Sequence, residues 1–188
     1  GHGVQVNGIN YLLPADARLP ATLPTESAQL RSALSRAFLP ADDLVLALGS
    51  RPNGASILIM DACRNNPLTR SRSIGGSGGG LSRMEPPTGT LIAYSTETNK
   101  VAQDGTGRNS PYAEALASEI QSGGTIYEVF NRVRRRVEQA TGGPDPQSPR
   151  ELNGLSGSGA FCFAACPTGG DSGAGANVRV DIEIGATS

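Results

Sequence analysis

The chain has 188 residues, about one domain, and carries 16 Lys+Arg against 17 Asp+Glu, a formal net charge of −1. That balance excludes a mainly electrostatic nucleic-acid binder, and no apolar run approaches the roughly 20 residues of a membrane-spanning helix. Hydrophobic residues make up 37 %, with 25 Gly, 13 Pro, four Phe, four Tyr and no Trp, so the core is aliphatic and loops are plentiful.

Gly1-His2-Gly3 has no basic region and no long apolar stretch, so it is not a signal peptide. Residues 9–13, Ile-Asn-Tyr-Leu-Leu, read as a strand closed by Pro14, and Pro20 and Pro24 make the next stretch a loop. Leu30, Ala33, Leu34, Ala37 and Phe38 fall at helical spacing and predict a helix over 25–39, ended by Pro40. A second helix runs from Ala41 to Leu48 and is closed by Gly49. Ser56 to Met60 is a continuous apolar run, the pattern of a parallel strand buried on both faces, and Thr90 to Ser95 is a second strand. Between them, Arg70 to Gly80 has the composition of a flexible, protease-accessible linker.

Ser110-Pro111 opens a helix through Ile120, and Thr125 starts a stronger one through Ala140. Ile126, Val129, Phe130, Val133 and Val137 make its apolar stripe. Arg132, Arg134, Arg135 and Arg136 form either an anion-binding patch or a solvated face, and the solvated face is the expectation. Residues 141–159 read as loop and Ala160 to Phe163 as a last strand, while the Gly-rich tail after Cys166 is expected to be mobile. Strands alternating with helices give an α/β fold, in which chemistry sits at the carboxyl ends of the strands. That rule singles out Asp61-Ala62-Cys63-Arg64.

A cysteine just past a buried strand is either a small buried hydrophobe or a nucleophile in need of a base. The one imidazole in the chain is His2, and a Cys–His pair is the minimal set for thiol acyl transfer. Three cysteines and one histidine lack a zinc-finger spacing, so no metal is assigned. Cys162 and Cys166 are open between reduced thiols of a cytoplasmic protein and a bridge in an exported one.

His2-Gly3, then Asp61-Ala62-Cys63-Arg64 after an apolar strand, then Ala93-Tyr94-Ser95-Thr96, Asp104-Gly105 and Asn109-Ser110-Pro111-Tyr112 occur in an order that resembles the caspase-like cysteine peptidases. Bacterial metacaspase-like proteins are the best match, over about residues 1–163. The resemblance implies a mostly parallel sheet flanked by helices. Residues 1–69 would form a large-subunit-like part, 70–88 a linker, 89–163 a small-subunit-like part and 164–188 a tail. It makes Cys63 the nucleophile and His2 the general base and acid, with the N–H groups of Gly3 and Cys63 as the oxyanion hole. It requires no cofactor. Calcium activates many metacaspases, but no dense Asp/Glu loop supports it here.

Where caspases hold an acidic substrate side chain with an Arg and a Gln, this chain has Asp104 and Asp61. Two carboxylates favour a basic side chain, Arg before Lys, and Ser95 joins them as a substrate-binding residue. The alternatives are an Asp-Gly turn at Asp104 and a helix cap at Asp61. The partners expected are therefore proteins or peptides with Arg or Lys before the scissile bond. Self-cleavage is expected at Arg70, Arg72 or Arg83. The rival reading is a catalytically silent module with an interaction or regulatory role. In this family strands precede the His motif, so the domain is expected to look N-terminally truncated, with His2 at a fraying end. The missing part would come from an unseen segment or a second chain.

Overall fold

A computed structural model of the chain describes residues 2–14, 16, 18, 22–49, 55–62, 81, 83–98, 100–155, 162–163 and 179–183, with backbone alone for His2, Val4 and 179–183. Two strands, β1 (His2–Val6) and β2 (Ile9–Leu13), pair antiparallel across Asn7-Gly8. Both turn residues have positive φ, 51° and 81°, the backbone that a two-residue hairpin needs and that Asn-Gly supplies. His2 is thereby held opposite Leu13 in a ladder rather than at a frayed end.

Helix α1 (Ser27–Ala37) starts where the Glu26 carboxylate accepts from the N–H groups of Ala28 and Gln29, at 3.3 and 3.1 Å. Its buried Leu30 and Leu34 pack with Phe38, Val6 and Tyr11, closing a small core on the hairpin. A two-residue strand, β3 (Leu39–Pro40), adds to β2 and leads directly into α2 (Ala41–Gly49).

The second sheet carries the main core. Its order is β6-β5-β4-β7, with β4 (Ser56–Met60) and β5 (Thr90–Tyr94) parallel and buried at every position. Alternation along these strands splits the core in two. Ile57, Ile59, Leu91 and Ala93 meet α3 (Pro111–Gln121) and α4 (Ile126–Thr141), whose apolar stripe packs as its spacing predicts. Leu58, Met60, Ile92 and Tyr94 face Ala41, Val45 and Leu48 of α2. The result is an α/β fold with helices on both faces of the sheet.

Two strands lie where loop and tail were expected. β6 (Arg150–Asn153) pairs antiparallel with β5 inside the 141–159 stretch. Its residues Arg-Glu-Leu-Asn carry no strand signature, and backbone pairing along the β5 edge decides their conformation. β7 (Arg179–Glu183) lies in the Gly-rich tail and runs parallel to β4, Ser56 opposite Arg179 and Met60 opposite Glu183. β4 therefore has a neighbour on both sides. Of the predicted strand over 160–163, the described part is Cys162, which bridges to Thr125, and Phe163, which packs edge-on to Phe130.

Linker residues 70–80 lie outside the described residues. The stretch that follows, part of the 70–88 linker that the resemblance implies, is partly core: Leu81 is fully buried and Met84 nearly so. The Arg face of α4 is also not simply solvated. Arg132 and Arg136 both bind Glu119 of α3, Arg134 binds Glu151 of β6, and Arg135 is exposed.

Candidate active site

The carboxyl ends of β4 and β5 lie side by side, Met60 opposite Tyr94, and the chain leaves both in the same direction. Asp61 follows one strand and Ser95 the other, joined where the Ser95 N–H donates to the Met60 carbonyl at 3.0 Å. Ser110, at the N-terminus of α3, accepts from the Ala113 N–H at 2.9 Å and donates its own proton to the Asp61 carboxylate. Asp61 is thus tied to the start of α3, and the stretch after Cys63, where a helix for it to cap was considered, lies outside the described residues.

Ser95 is fully buried, its carbonyl accepts from Gln147, and its hydroxyl has no hydrogen-bond partner among the described residues. Asp104 is exposed in the segment between β5 and α3, and Gly105 beside it has φ of 77°, the left-handed conformation of a turn. Gln147 ties this segment together: its side-chain oxygen accepts from the Gln103 N–H at 2.8 Å while its amide donates to Ser95.

Cys63 and the side chain of His2 lie outside the described residues, but the residues beside them meet at Leu81. Gly3 is buried against it, and a Cβ there would lie 2.9 Å from Leu81 Cδ2. Leu81 in turn packs in the apolar cluster that holds Ala62, Met60 and Tyr94. The strand carrying His2-Gly3 therefore packs on the apolar cluster that includes the strand end leading to Cys63. That close approach also explains why glycine follows the histidine.

Beneath Asp61 lies a buried polar group. Burial pushes the Tyr112 phenol well above its ordinary value, and the charges of Glu151 and Asp61 push the same way. Burial likewise raises the Glu151 carboxyl, against the pull of Arg134. The sequence marks Tyr112 within the Asn109-Ser110-Pro111-Tyr112 motif but not its burial, and it marks neither Gln147, Glu151 nor the Ser110–Asp61 bond. Ser110 had a visible signal, as a cap before Pro111, but its second partner is set by tertiary structure.

The caspase domain model of the peptidase C14 family matches residues 1–157. The chain belongs to the caspase-domain family. A search of curated proteins finds no match. Among solved structures, caspase-1 from Spodoptera frugiperda is similar, at 21 % identity with a TM-score of 0.39. That match covers 52 % of this chain and 42 % of the caspase-1 chain, so the present chain spans less than half of it.

The caspase domain places the chain in a cysteine peptidase family. No helix among the described residues is long and apolar enough to cross a membrane. No group of three or more His, Cys, Asp or Glu among them could hold a metal ion. Cys162 is in a disulfide, whose partner lies outside the described residues, so at Cys162 the bridge is found rather than the thiol.

Proposed function

We propose that this caspase domain is a cysteine endopeptidase that cuts after basic residues, Arg before Lys. The observation that carries the reading is the family match over residues 1–157, which spans both His2 and Cys63. In this mechanism His2 takes the Cys63 thiol proton, the thiolate attacks the scissile carbonyl, and the Gly3 and Cys63 N–H groups hold the oxyanion. His2 then protonates the leaving amine, and water hydrolyses the acyl-enzyme.

The preference for Arg rests on Asp61, held by Ser110 at the end of β4, and on Asp104 in the segment that starts beside it. A guanidinium that donates to two carboxylates gains charge-assisted, directional bonds, and an acidic side chain is repelled. Self-cleavage is better suited to Arg70 or Arg72 than to Arg83. Arg83 stands between buried Leu81 and Met84 and is paired with Glu85, whereas a protease needs an extended, releasable strand.

Folded protein assayed on fluorogenic peptides with Arg, Lys or Asp before the reporter, beside a Cys63→Ala control, tests the proposal. Cleavage after Arg that vanishes in the control is the expected result. Cleavage after Asp keeps the peptidase and removes the basic pocket. Silence on all three favours the regulatory module.

A further inference from the structure

Gln147 is 5 % exposed, within a Pro-rich loop that has no other reason to bury a polar side chain. A buried amide must find partners for its oxygen and its NH₂ group. Here the partners lie far apart in sequence. The oxygen accepts from the Gln103 N–H and the nitrogen donates to the Ser95 carbonyl, both at 2.8 Å. Its own backbone N–H donates to Thr141 Oγ1 at 3.0 Å, and that hydroxyl donates to the Val137 carbonyl in the last turn of α4. Gln147 is therefore braced on a helix and grips the segment from Ser95 to Ser110 at its start and near its middle. A second tie, Lys100 to Asp145, joins the same segment to the same loop.

We propose that Gln147 is a positioning residue for substrate selectivity: by clamping Gln103 to Ser95 it sets where Asp104 stands relative to Asp61. This rests on the reading of those two acids as the substrate pocket. Asp61 is held by Ser110 at one end of the segment, while Asp104 is exposed and adjacent to the clamped residue. Bidentate capture of a guanidinium depends on the spacing and angle of its acceptors, so a released segment weakens binding of the basic side chain more than it slows bond cleavage.

The full chain with Gln147→Ala and Gln147→Glu is to be assayed on the substrate that wild type cuts best. Gln147→Ala is expected to raise KM about tenfold with kcat within about threefold, and to narrow the preference for Arg over Lys. Gln147→Glu keeps the acceptor for Gln103 but loses the donor to Ser95. A buried carboxyl is protonated at mildly acid pH, so its KM penalty relative to wild type is expected to shrink near about pH 5. A merely structural role would not give that rescue. Unchanged KM in both folded variants overturns the proposal, as does a fall in kcat with KM unchanged. If wild type cuts no peptide, the peptidase reading fails by itself and hydrogen exchange decides the clamp. Loss of protection at the Gln103 amide in Gln147→Ala keeps it, and unchanged protection overturns it.

Discussion

Two side chains near the candidate site test its packing. Gly3 lies where a methyl group would press on the side chain of Leu81, which is fully buried. Gly3→Ala is expected to cost about 1–3 kcal/mol, the usual range for overpacking, and to shift Tm by about 2–4 °C per kcal/mol. A thermal melt of the variant measures it, and an unchanged Tm would mean that Leu81 does not seat there. Tyr112 presents the opposite case, a buried hydroxyl with no hydrogen-bond partner among the described residues and two acids raising its pKa. Removing an unsatisfied hydroxyl leaves the ring's packing intact, so Tyr112→Phe is expected to range from neutral to about 1 kcal/mol more stable. Clear destabilisation in urea titration would show that the hydroxyl is satisfied by water.

At the scale of elements, α3 and α4 are joined by charge as well as by their apolar stripes. Hydrogen bonds from Arg132 chiefly, and from Arg136, hold the Glu119 carboxyl below its ordinary 4.5. A lowered folded-state value means that ionised Glu119 stabilises the fold above about pH 4.5, and that this is lost as pH falls through the lower value. Glu151 has the opposite sign: its raised value favours the protonated fold and its contribution is lost as pH rises through it. Glu119→Gln is therefore expected to lower Tm at neutral pH and to leave it nearly unchanged well below pH 4. Melts of both proteins across that range check the difference. The α4 N-terminus is a reciprocal cap, with Thr125 and Glu128 each bonding the other's backbone N–H. Thr125→Ala is expected to cost about 1 kcal/mol, read from the same melts. These helices were legible in the sequence because propensity, caps and apolar spacing all agree. β1 is legible too, in Val4-Gln5-Val6 ahead of Asn7-Gly8. β6 was not legible, since pairing alone makes Arg-Glu-Leu-Asn a strand. The bonds of Asp61 with Ser110, and of Gln147 with Ser95 and Gln103, join residues more than forty positions apart, which local pattern does not encode.

For the whole molecule, the placement of the site depends on a sheet assembled from distant segments. The order β6-β5-β4-β7 sets β4 at its interior, with its partner β7 drawn from the far end of the described chain. Deleting residues 179–183 leaves the β4 edge unpaired, so a lower Tm and increased light scattering from self-association are expected. Unchanged melting and scattering would mean that β7 does not pair in solution. The same strand order bears on synthesis. β4 leaves the ribosome early and β7 late, and at about 5–20 residues per second the interval between them is on the order of ten seconds. Throughout that time a nascent chain carries an apolar strand with an open edge. The hazard is then pairing with the same strand on a neighbouring nascent chain of the polysome, and a slower ribosome lengthens the exposure.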